Sequence, residues 1–112
     1  MATNPGFVEF ICDQINECGN IRNKKMFGEY MVYVNEKPVL LICNDIVYVK
    51  IKEEIEDLMR DAETGFPYNG AKEHYILDIE AKELSVEVVN ILEKITPLPK
   101  PKKKKQWNYN DY

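Results

Sequence analysis

Three cysteines (Cys12, Cys18 and Cys43), one histidine (His74) and scattered carboxylates are the residues of this chain with the most chemistry in them. A zinc site needs four such ligands in convergent places. The cysteines are odd in number and lack CxxC spacing, and His74 stands far along the chain from them. The expectation is reduced, buried structural thiols and no metal. Glu29, Asp45 and the run Glu53, Glu54, Glu56 and Asp57 could in principle supply an acid–base pair. Such a pair works only in a shared, partly desolvated cleft, whereas these residues fall at a strand start, a hairpin tip and a polar helix face. There is no GxSxG, phosphate-binding P-loop or GxGxxG. The reading is therefore of a non-enzyme without catalytic residue or cofactor; a deep pocket holding a carboxylate or His74 with a strongly shifted pKa would reverse it.

Basic residues offer a different chemistry, that of binding. Arg22, Lys24 and Lys25 precede a Met26-Phe27-Gly28 step and then Glu29 and Tyr30. Such a corner could hold a phosphate or an acidic protein surface, against the plainer reading of a solvated edge that discourages strand pairing. Further on, Lys102, Lys103, Lys104 and Lys105 with Trp107 could pair phosphates and stack a base, dock on an acidic surface, or merely keep a tail soluble. Charge divides accordingly: residues 1–99 hold ten of the fifteen basic side chains and eighteen of the nineteen acids, and the remainder is basic. The body repels phosphate and the tail attracts it, so nucleic acid could be bound through the tail only. Tyr30 and Tyr33 have opposite parity in a strand, which argues against a flat stacking platform with Tyr48.

These residues must be held by something. A hydrophobic fraction of 45% and a charged fraction of 30% over 112 residues describe one ordinary globular domain with a modest core. No apolar run approaches the roughly 20 residues that cross a bilayer, and the N-terminus lacks a basic start with an apolar core, so a cytoplasmic protein without a membrane segment is expected.

The spacing of Phe7, Phe10, Ile11, Ile15 and Cys18 predicts a first helix, capped at Thr3 or Asn4 and stopped at Gly19-Asn20. A basic strand over residues 21–26 follows, then EYMVYV, PVLLIC and IVYVKI as strands joined by hairpins at Asn35-Glu36-Lys37 and Asn44-Asp45. PVLLIC, apolar on both faces, is expected at the centre. A second helix is predicted from about Lys52, on Ile55, Leu58, Met59 and Ala62, ending at Gly65-Phe66-Pro67. A strand near His74 to Leu77 and a final helix on Leu84, Val88, Ile91, Leu92 and Ile95, capped by Ser85 or begun earlier by Asp78, complete the body. The fold class is α+β: an antiparallel meander with helices on one face, in the order helix, four strands, helix, strand, helix. The domain spans residues 1–97, and 98–112 form a Pro/Lys-rich basic tail expected to be disordered. Gly28 suits a bulge or sharp bend between two strands.

RNKKMFGEYMVYV, LLICNDIVYVK and FPYNG, followed by a last helix running into a proline and lysine tail, resemble the N-terminal domain of the TfoX (Sxy) family of bacterial competence regulators. The likeness covers about residues 5–105. It implies a compact α+β domain that occurs alone or ahead of a second, helical domain absent from this chain, and it supplies no catalytic residue. It further implies a non-enzymatic regulator of transcription that works by protein contacts. The contact residues expected are Arg22, Lys24, Lys25, Met26, Phe27, Gly28, Glu29 and Tyr30, on a surface open to the transcription machinery or to a second copy as a homodimer. The alternative is weak, sequence-independent nucleic-acid binding through the tail.

Overall fold

The computed structural model describes residues 3–26 and 29–98. Helix α1 (Pro5–Gln14) begins where the Asn4 side chain accepts a hydrogen bond from the Gly6 amide at 2.8 Å, with Pro5 in the first turn where its missing donor costs nothing. It is a turn shorter than the periodicity suggests, giving way to a 3₁₀ turn at Asn16–Cys18. Val8, Ile11 and Ile15 form its buried face, while Phe10, off that face, is 41% exposed. Gly19 then turns the chain at φ 147°, and a Cβ there would lie 2.7 Å from the Asn35 side chain. Only glycine fits.

Four strands follow: β1 (Ile21–Met26), β2 (Glu29–Val34), β3 (Lys37–Cys43) and β4 (Ile46–Lys50). The two hairpin turns consist of Asn35-Glu36 and Asn44-Asp45, all four residues having φ between 52° and 68°. This paired left-handed geometry matches the twist of the flanking strands, and Asn and Asp tolerate it best. A bulge between Val32 and Tyr33 adjusts the register of β2 on β3. Two further strands, β5 (Thr64–Gly65) and β6 (His74–Ile76), and helix α2 (Lys82–Ile95) complete the order. The sheet runs β1-β2-β3-β4-β6-β5, every neighbour antiparallel, with β3 inside as its two-sided apolar pattern demands. Val32, Leu40, Ile42, Val47 and Val49 on one face join Ile11 of α1 and Val88, Val89 and Leu92 of α2 in a single core.

Two expectations need correction. The helix predicted from Lys52 is only a 3₁₀ turn at Glu53–Ile55 with further turns through residue 61. Glu53 and Asp57, four residues apart, would stack like charges on an α-helix, and Ile55 and Met59 reach the core from the turns alone. Ser85 does not cap the last helix. That helix starts at Lys82, and Ser85 is wholly buried one turn inside, where its hydroxyl donates to the Asp78 carbonyl at 3.2 Å.

Asn35 ties three elements together. Its Oδ1 accepts from the Asn20 amide at 2.9 Å, its Nδ2 donates to Glu93 Oε2 at 3.3 Å, and Lys37 Nζ meets the same carboxylate at 3.1 Å. Asn35→Gly keeps the left-handed backbone and loses the side-chain bonds; a loss of about 1 kcal/mol is expected, and Asn35→Val should lose more because a β-branched residue resists positive φ. Urea midpoints of the two variants check this. The bonds from Lys37 and Asn35 hold the Glu93 carboxyl below its ordinary value. Its contribution is therefore complete above the usual carboxylate range and disappears as pH falls through the lowered value. In Glu93→Gln, acid titrations of unfolding should lose that component.

Candidate functional site: an exposed basic sheet edge

Strand β1 is one edge of the sheet, and Arg22, Asn23, Lys24 and Lys25 along it are all exposed. The Asn35 amide donates to the Asn20 carbonyl at 2.8 Å, which sets the alternation of the ladder. Peptide groups of Arg22, Lys24 and Met26 face β2, so those of Ile21, Asn23 and Lys25 point outward. Three residues thus offer both a donor and an acceptor in strand geometry.

The side chains along this edge are not equivalent. Arg22 is already engaged: its guanidinium meets Glu36 at 2.9 Å and lies 4.3 Å from the centroid of the Tyr33 ring. The side-chain Nδ2 of Asn23 donates to Cys12 Sγ at 3.8 Å, fastening the strand to α1. Lys24 and Lys25 have no ion pair among the described residues. Their charges are free to meet a partner. Met26 and Glu29, paired across the β1–β2 hairpin, are half-buried, and Tyr30 packs against the core opposite Lys25. The expected corner is therefore divided between the two faces of the edge: Lys24 lies on the face of Arg22 and Tyr33, and Lys25 on the face of Tyr30. Phe27 and Gly28, including the expected bulge, lie outside the described residues, as do Lys102, Lys103, Lys104, Lys105 and Trp107.

Tyr30 and Tyr33 lie on opposite faces of the sheet, as their parity requires. Tyr48 is 6% exposed and meets the edge of the His74 ring, with centroids 6.3 Å apart. These three rings form no shared platform.

Of the candidate reactive groups only Asp45 and Asp57 reach a common place, the lining of an open groove; the others are scattered. His74 Nδ1 is 2.7 Å from the Lys72 carbonyl, and Asp45 Oδ1 accepts from the Asn4 amide at 2.8 Å. Glu53, Glu54 and Glu56 are exposed. No cluster of three or more His, Cys, Asp or Glu suited to a metal occurs among the described residues, nor any helix there long and apolar enough to cross a membrane. All three thiols are free. Burial, reinforced by the neighbouring Glu29 carboxylate, pushes the Cys43 thiol up to about 12. Burial also raises Cys12, against the opposing hydrogen bond from Asn23, and raises Cys18 with help from Glu17. A thiol that stays protonated is a poor nucleophile.

Sequence reasoning missed one concave feature, a groove between the turns of residues 57–63 and the approach to α2, into which Asp45 and Asp57 also face. Its lining is spread over four separated stretches of chain, so no local pattern announces it.

An open antiparallel sheet with both helices on one face and a charged free edge defines a small α+β domain. The chain belongs to the TfoX N-terminal domain family, whose model matches residues 13–84, a span running from the end of α1 through all six strands to the first turn of α2. It is also similar to an uncharacterized 12.7 kDa protein in the trpE 5' region of Spirochaeta aurantia, 32% identical over 107 residues, or 94% of this chain and 93% of that protein.

The thiol chemistry is directly testable. In native protein at pH 8, iodoacetamide followed by mass analysis should label Cys43 more slowly than Cys12 or Cys18, and denaturant should abolish the difference.

Proposed function

We propose that this protein is a non-enzymatic regulator of gene expression that acts through protein contacts, and that β1 is the edge by which it grips its partner. The observation that carries this reading is the exposed β1 edge, where the outward peptide groups of Ile21, Asn23 and Lys25 accompany two lysines with no described ion pair. An added strand would gain main-chain hydrogen bonds from the edge and specificity from its side chains. Membership of the TfoX N-terminal domain family supports a regulatory role.

Charge selects the kind of partner. Two copies paired antiparallel about Asn23 would set Arg22 of one opposite Lys24 of the other, a like-charge contact that weakens cross-strand pairing. An extended acidic segment of another protein, of the transcription machinery in this reading, meets no such obstacle and gains from both lysines. The site of action is the cytoplasm, where such machinery works in bacteria.

The test is binding of the full chain to acidic extended peptides, read by fluorescence anisotropy at two salt concentrations. Asn23→Pro removes an outward donor together with the side-chain bond to Cys12, which Asn23→Ala removes alone as the control, and proline is tolerated on edge strands. It should weaken binding roughly tenfold, about 1.4 kcal/mol, and Lys24→Glu with Lys25→Glu should abolish it. Unchanged affinity in both variants, with the fold retained by circular dichroism, would place the contact elsewhere.

A further inference from the structure

The groove described above shares no lining residue with β1 and encloses about 820 Å³. Phe7, Leu58, Ala62 and Leu84 supply apolar surface to it, each half-buried against the core. Six carboxylates line it, those of Asp45, Asp57, Asp61, Glu63, Asp78 and Glu80, against the single cation Arg60. Arg60 reaches only Asp57, at 3.6 Å between two exposed side chains, a weak pairing. Asp45 and Asp78 each accept a backbone amide, but Asp61, Glu63 and Glu80 have no cationic partner among the described residues. An oily floor under an uncompensated acidic rim suits a segment that is cationic and carries an aromatic.

The chain contains such a segment, in Lys102 to Lys105 and Trp107. Its reach is adequate. Helix α2 has 14 residues and meets the groove in its first turn, at Leu84, while its other end is at Ile95 and the described chain ends three residues further on, at Leu98. At 1.5 Å per residue the helix is about 21 Å long. Extended chain covers about 3.3 to 3.6 Å per residue, so Lys102 to Lys105 can lie roughly 13 to 25 Å beyond Leu98 and Trp107 about 30 Å. A return along α2 would pass the exposed carboxylates Glu87 and Glu83. We infer that the groove is the docking site for the chain's own lysine-rich tail, with Lys102 to Lys105 on the carboxylate rim and the Trp107 indole on the apolar floor. Docking of this kind sequesters the lysines from any polyanion and leaves the β1 edge free.

Trp107 is the only tryptophan, so fluorescence of the full chain reports its surroundings without a label. In dilute native protein its emission should be blue-shifted, and acrylamide quenching several-fold weaker, relative to the urea-unfolded chain. Both should revert toward the unfolded values in molar salt, in a variant carrying Asp61→Lys, Glu63→Lys and Glu80→Lys, and in one with all four of Lys102 to Lys105 changed to Glu. The tail variant leaves the folded body untouched and keeps the test decisive if the groove variant fails to fold. Native emission matching the unfolded chain, or protection that survives reversal of the four lysines, would overturn the proposal. Protection that grows with protein concentration would overturn it too, by assigning the tail to a second copy.

Discussion

The left-handed Asn35 is the point on which the geometry of the basic edge depends. Its side chain stops the Asn20 amide, the last donor before β1, and at the same time reaches Glu93 near the end of α2. One residue therefore sets where β1 begins and ties the β2–β3 hairpin to the helix that covers the core. Gly19 completes the arrangement, because the same side chain fills the space a Cβ would need. If β1 slipped by one residue, Ile21 would turn away from the helices and Lys24 would turn toward them, an exchange the buried face would oppose. The register that exposes Lys24 is thus enforced by hydrogen bonding at one end and by the partial burial of Ile21 against the core.

Edge strands are hazards as well as opportunities, and β1 answers the hazard with charge. Its lysines discourage a second identical edge while leaving the peptide groups open. The opposite edge, β5, is only two residues long and offers little to pair with. Such asymmetry means that strand addition, if it occurs, has one side on which to occur, and that the side carries positive charge. Arg22 contributes differently, since it is clamped between Glu36 and the Tyr33 ring and stiffens the edge more than it advertises charge.

Much of this architecture was legible in the residues because the signals were local. Asn-Glu and Asn-Asp between alternating apolar runs specify tight hairpins, the apolar PVLLIC specifies an interior strand, and Asn4-Pro5 specifies a helix start. What escaped was decided by packing. Ile55, Leu58, Met59 and Ala62 carry a helical period, yet two buried side chains and a crowd of acids settle for turns. Ser85 looks like a cap and is instead a buried donor that closes the approach to α2. Strand β5 exists through its pairing with β6 and has too few residues to show a period. Of the candidate site, the basic run on an exposed strand could be read directly. The engagement of Arg22 by Glu36 could not, because that pair spans a hairpin whose register must first be known. The acidic groove was invisible for the stronger reason that its carboxylates come from stretches that only the folded chain brings together.

Under the readings proposed, separation of charge is what would give the two surfaces different partners. Lysines on β1 and carboxylates around the groove share no lining residue, so a segment that suits one is repelled by the other. An acidic strand would be drawn to β1 and kept from the groove; a lysine-rich segment would be drawn to the groove and kept from β1. Close opposite charges attract at surface dielectric by a few kcal/mol before solvation and ordering costs reduce the gain, and salt reduces it further. For that reason neither proposed contact would rely on charge alone: β1 offers main-chain hydrogen-bonding groups and the groove offers apolar surface beneath its rim. In the proposed readings each surface would pair a long-range attraction that chooses the sign of its partner with a short-range interaction that demands shape, and specificity would follow from requiring both.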